Sequence, residues 1–98
     1  MTTENEALPV PVIQSPAKDA TASNKVSISG TVEDNGEGEV TIYRDLSMQI
    51  LLKVDVVEGK WSGILREDLS KGDHAIAAML TRQGEHSRRS EYRQFKVE

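Results

Sequence analysis

From Lys25 onward, apolar residues recur at every second position in short runs. Val26, Ile28 and Val32 share a parity with Gly30, while Ser27, Ser29 and Thr31 take the other. The same period returns in Val40 and Ile42 against Thr41 and Tyr43, and in Ile50, Leu52, Val54 and Val56 against Lys53 and Asp55. Trp61 and Leu65 share a phase with Gly63, Ile76, Ala78 and Leu80 share one, and Phe95 and Val97 close the chain. Period-two alternation marks strands with one buried and one solvated face. The pattern predicts strands near 10–14, 25–32, 39–44, 49–57, 60–65, 74–81 and 88–97, with no helix longer than a turn. Leu46, Ile50 and Val54 also fall at helical spacing, but the β-branched residues around them and the flanking Gly59 favour a strand.

The connections agree with this reading. Pro9 and Pro11 cannot donate to a sheet ladder, so residues 1–8 read as a tail or linker running into an edge strand at the start of a domain over 9–98. Ser15-Pro16 and the small polar stretch Ala17–Asn24 read as a connector. Glu58-Gly59 makes a tight reversal that aims Trp61, the one tryptophan, between two sheets. Asn35-Gly36 carries a hairpin signal in a loop too long for a two-residue turn, which favours an arch between sheets. Tyr92 is out of phase with Phe95 and Val97, which places a bulge near Arg93-Gln94. Seven short strands with turns about every ten residues define an all-β fold, an antiparallel sandwich. Its expected core is Val26, Ile28, Val32, Val40, Ile42, Leu52, Val54, Trp61, Ile76, Ala78, Leu80 and Phe95.

Composition narrows the function classes. A net charge of −4 argues against a nucleic-acid partner, whose phosphates demand clustered cations. With no cysteine there is neither a disulfide framework nor a thiolate site, and no run approaches the roughly 18 apolar residues that span a bilayer. The N-terminus shows no signal-peptide pattern.

Six elements in order carry a family resemblance: Pro9–Ser15, Ser29-Gly30-Thr31-Val32, Val40-Thr41-Ile42-Tyr43, Gly59-Lys60-Trp61-Ser62, Leu69–Ile76 with its L-x-x-G-x-H turn, and Tyr92–Val97. In this the chain resembles the bacterial immunoglobulin-like (Big-type) modules repeated in surface adhesins. The resemblance implies a seven-stranded immunoglobulin-like sandwich, an extracellular or cell-surface setting within a larger protein, and neighbouring modules of the same chain as partners. Many such modules carry an Asp and a G-N-x-S segment after the sixth strand. Here Leu80–Ser87 reads LTRQGEHS, which puts a calcium-stiffened junction in doubt.

Candidate chemistry is sparse. Glu33–Glu39 concentrates oxygen ligands but lacks calcium-loop spacing, and reads as a solvated turn. Ser70, Asp73 and His74 lie too close on one turn to form a triad, and two histidines without a thiol do not make a zinc site. No catalytic residue, metal site or cofactor is therefore expected. With Trp61 and Phe95 in the core, Tyr43 and Tyr92 are a thin basis for sugar stacking. The surface with a chemical bias is Arg82, Arg88, Arg89 and Arg93: residues 82–98 hold five cations against three acids, and 1–45 hold three against eight. With the bulge near Arg93-Gln94, Arg89 and Arg93 point outward, opposite Tyr92, as a candidate contact for an acidic neighbouring module, or for glycan or an anionic surface. The reading is a non-enzymatic spacer or adhesive module, monomeric in isolation and not inserted in a membrane. The alternative is an accessory binding domain of a secreted enzyme or toxin.

Overall fold

Nine strands, and no helix, account for the regular structure of the described residues. The computed structural model describes residues 8–33, 36–44 and 49–98. The strands are β1 (Val12–Ser15), β2 (Ala20–Ala22), β3 (Ser27–Thr31), β4 (Gly38–Arg44), β5 (Ile50–Val56), β6 (Lys60–Ile64), β7 (Gly72–Arg82), β8 (Glu85–His86) and β9 (Arg93–Val97). One sheet has the order β1-β3-β6, and the other runs β2-β9-β7-β4-β5 with β8 beside β7. All pairings are antiparallel except β2 with β9.

The sheets meet over one apolar cluster. Ile28 from the smaller sheet and Val40, Ile42, Ile76, Ala78, Leu80 and Phe95 from the larger are fully or almost fully buried in it, with Val26, Val32, Ile13, Val56, Leu65, Leu69 and Val97 around them. Leu52 and Val54, expected in this core, lie at its margin and are only partly buried, because β5 ends the larger sheet.

Trp61 shows how a local signal becomes tertiary structure. Glu58 and Gly59 both have positive φ, 52° and 76°, and Val57 and Lys60 exchange two backbone hydrogen bonds of 2.9 and 3.0 Å across them. Two positive-φ residues in a two-residue loop form the type I′ geometry suited to twisted strands. This turn passes the chain from the larger sheet to the smaller and delivers Trp61 opposite Gly30 on the inner face. The indole lies over Gly30, where a Cβ would overlap both the ring and the Val12 carbonyl. Its Nε1–H donates to the Thr31 carbonyl at 3.2 Å. Gly63, next inward on β6, leaves room for Leu52 and Val54, each 2.7 Å from where a Cβ would stand.

Several expectations need correction. The first strand begins after Pro11 rather than at Val10, and residues 1–7 of the expected tail lie outside the described residues. The stretch assigned to a connector contains β2, which pairs with β9. The helical alternative over residues 46–57 gives way to β5 at Ile50–Val56, while residues 46–48 lie outside the described residues. The final strand is broken. His86 pairs with Thr81 and Arg93 with Ile76, so residues 87–92 must bulge to match the shorter run between those β7 residues. The ladder from Arg93 to Val97 is unbroken, so the bulge expected near Arg93-Gln94 lies earlier, within residues 87–92.

Candidate functional site

Two serines hold the bulged segment on β7. Ser87 N–H donates to the Leu80 carbonyl at 2.8 Å, its Oγ accepts from the Leu80 amide at 2.9 Å, and the same hydroxyl donates to the Arg88 carbonyl at 2.8 Å. Ser90 repeats the arrangement at Ala78, with 2.7 Å from its N–H and 2.9 Å to its Oγ. A hydroxyl thus stands in for the missing ladder carbonyl at two steps, which keeps the β7 amides satisfied. Neither serine is given a role by the sequence alone. The signal available for them is the repeat of Ser across Ser87-Arg88-Arg89-Ser90 between two strands.

The bulge distributes the four arginines. Arg82, at the end of β7, donates from Nε to the Glu37 carbonyl at 2.5 Å, with its guanidinium against Gly36, and so ties down the arch between β3 and β4. Asp34 and Asn35 of that arch, and with them part of the oxygen-rich loop, lie outside the described residues. Arg89 turns onto the outer face of the larger sheet, its Cζ 4.0 Å from the Tyr43 ring centroid. Tyr43 is thereby 7% exposed although it points away from the core. Arg93 pairs with Ile76 in phase with Phe95, so it lies on the core-side face rather than outward, and its Nη1 donates to the Pro16 carbonyl at 3.0 Å. Arg88 is exposed. Ile76 and Arg82 are six residues apart on β7, about 20 Å of extended strand, so Arg82 and Arg93 do not converge on one anion.

The polar residues of the Ser70–His74 turn likewise have structural partners. His74 is buried near Phe95, and its Nε2–H donates to the Ser70 backbone carbonyl at 2.7 Å, not to the hydroxyl. At the same pole Asn24 bonds twice with Leu69, donating to its carbonyl at 2.9 Å and accepting from its amide at 3.0 Å, and Lys25 lies 3.8 Å from Asp68. Surface depressions are open and mixed in character. One of about 300 Å³ is bordered by Asp19, Asp73, His74 and Lys96, and one of about 570 Å³ runs across Ser29, Thr31, Lys60 and Ser62 of the smaller sheet. Among the described residues no three His, Asp or Glu side chains group as metal ligands.

These features define the class as an all-β, sandwich-like fold of two sheets whose polar groups largely serve its own loops. No family model and no curated protein matches the chain. Among solved structures, the crystal structure of an engineered protein, a structural-genomics target, is similar with a TM-score of 0.64 and 16% identity. The likeness covers 96% of this chain and 21% of that one, and it is a likeness of fold.

Proposed function

We propose that the chain is an immunoglobulin-like module of a larger bacterial surface or secreted protein, acting without catalysis as a structural spacer or adhesive unit. The observation that carries this reading is the parallel pairing of β2 with β9. The first strands and the last run the same way, so the chain comes in at one pole and leaves at the other, as a unit joined end to end requires. The strand order supports the immunoglobulin-like reading, with β1-β3-β6 as one sheet and β9-β7-β4-β5 as the other, β2 and β8 extending the edges of a seven-strand plan. The long axis of 40 Å then sets the reach of one unit.

With no native cysteine, spin labels at Pro9→Cys and Glu98→Cys report the separation of the two ends. A distance on the order of the long axis supports a spacer, and one below about half of it overturns the reading, since strands rise about 3.3 Å per residue between the poles. The accessory-domain alternative loses support from the divergence of the arginines. Saturable amide shifts over residues 82–93 on adding a sulfated oligosaccharide at low salt would favour it instead.

A further inference from the structure

The outer face of the smaller sheet does not stop at β6. Val57 bridges Lys60 across the type I′ turn, so in the same antiparallel register Asp55 stands beside Ser62 and Val54 beside Gly63. Gly63 agrees with this, since a Cβ there would fall 2.7 Å from Val54 and from Leu52. The outward side chains therefore continue from β1 across β3 and β6 onto the end of β5.

Two rows of polar side chains cross these strands. Ser29 pairs with Ser62, and Thr31 with Lys60. Asp55 extends the first row beyond Ser62. Gln14 extends it at the other end, as the extra residue of a bulge where the register passes from Ile13↔Gly30 to Ser15↔Ser29. Bulges re-aim side chains and are common beside sites. The serines are small, and Gly30 and Trp61 offer only backbone between the rows, which leaves the depression of about 570 Å³. That volume lies within the usual range of ligand sites. Among the described residues none of these six side chains makes a hydrogen bond or an ion pair. They present three hydroxyls, an amide, a carboxylate and an ammonium group, and the two charges cancel.

We propose that this groove binds a neutral, linear glycan, which lies across the strands and is fixed by hydrogen bonds. The charge balance selects an uncharged occupant, although the chain as a whole carries −4. The spacing selects a sugar chain. Polar groups along the row recur at the strand separation, about 4.8 Å. An extended chain of pyranose rings advances by close to that distance per ring, so successive rings meet Gln14, Ser29, Ser62 and Asp55 in turn. An extended peptide, rising about 3.3 Å per residue, falls out of step with the row. Sugar hydroxyls both donate and accept, as do the serine hydroxyls and the Gln14 amide, while Asp55 accepts and Lys60 donates from the side. No ring stacks here, because Trp61 lies beneath the floor and is 3% exposed. Hydrogen bonds exchanged with water are individually modest, so affinity for a short chain is on the order of millimolar. The site belongs to a single chain and stands or falls apart from the modular reading.

Titration of the isotope-labelled intact chain with cellohexaose and with chitohexaose, followed by amide shifts, tests this. Saturable movement at Ser29, Thr31, Asp55 and Ser62 is expected with at least one of the two at millimolar concentration. It should persist at high salt, because the ligand carries no charge. Ser29→Val combined with Ser62→Val removes both central hydroxyls while keeping strand formers, and should weaken binding about tenfold through the loss of two neutral hydrogen bonds. Ser27→Val, on the same face but outside the groove, should bind as the wild type does, with circular dichroism confirming that each variant folds. Absence of shifts with both sugars, shifts confined to residues 82–93, or shifts that vanish at high salt would each overturn the proposal. So would a double variant that binds as tightly as the wild type, or an equal response to a Gly-Ser peptide.

Discussion

Replacing Gly30 by alanine puts a methyl group where the Trp61 ring already lies, 2.7 Å from Cε2 by geometry, and against the Val12 carbonyl. Adding volume to a filled core costs about 1–3 kcal/mol, and occasionally more. Here one obstacle is backbone on β1 and the other a ring hydrogen-bonded to Thr31, so neither yields freely, and a cost near 3 kcal/mol is expected. Trp61→Ala, by contrast, empties a site that is 3% exposed and should cost about 3–5 kcal/mol. The two changes interact. Without the ring, the Val12 carbonyl is the obstacle that remains of these two, so in the Trp61→Ala background Gly30→Ala should cost at least about 1 kcal/mol less than in the wild type, within the usual range for residues in contact. Urea unfolding followed by far-ultraviolet circular dichroism measures all four corners of the cycle. For a domain of this length each kcal/mol corresponds to about 4–8 °C in Tm, well within detection. Effects that add to within about 0.3–0.5 kcal/mol would refute the claim that Gly30 is required to seat the tryptophan.

Ser87→Ala should cost about 1–3 kcal/mol by leaving the buried Leu80 amide without an acceptor, and hydrogen exchange at Leu80 should quicken; an unchanged Leu80 rate would contradict the serine's role. Arg89→Ala should remove about 0.5–2 kcal/mol of cation–π stabilisation and shift the Tyr43 ring resonances, whereas unchanged resonances would mean the stack does not persist in solution. Glu58→Asn, at a positive-φ position that asparagine adopts more readily, should raise stability by up to about 1 kcal/mol, read as a higher Tm. Millimolar calcium should leave Tm and the amide shifts of Glu37 and Glu39 unchanged; saturable shifts there would show that the acidic arch binds the ion after all.

What could be read in advance was whatever is encoded by near neighbours. Alternation along Val26–Val32 and Ile76–Leu80 marks a strand because each residue's face follows from its own position, and Glu58-Gly59 marks a turn because its backbone geometry is local. β2 was hidden for the opposite reason. Ala20-Thr21-Ala22 has no large apolar alternation, and it is a strand through its pairing with β9, whose partners lie seventy-five residues further along. The arginines show the same limit. Parity placed Arg89 and Arg93 together, but the bulge between Ser87 and Arg93 rotates one onto Tyr43 and the other toward Pro16. Side-chain hydroxyls substituting for ladder carbonyls look, in sequence, like any polar loop.

The parallel pairing of β2 with β9 also governs how the molecule answers a pull. Tension applied at its two ends draws these neighbouring strands in opposite directions along their own axes. Their connecting bonds, including Asp19 N–H to the Gln94 carbonyl at 2.8 Å and Glu98 N–H to the Ala22 carbonyl at 3.1 Å, are then loaded together in shear. A hairpin opened from one end loses such bonds one after another, but here several must fail at once before the chain can lengthen. The least conspicuous strand in the sequence is thus where resistance to stretching is concentrated.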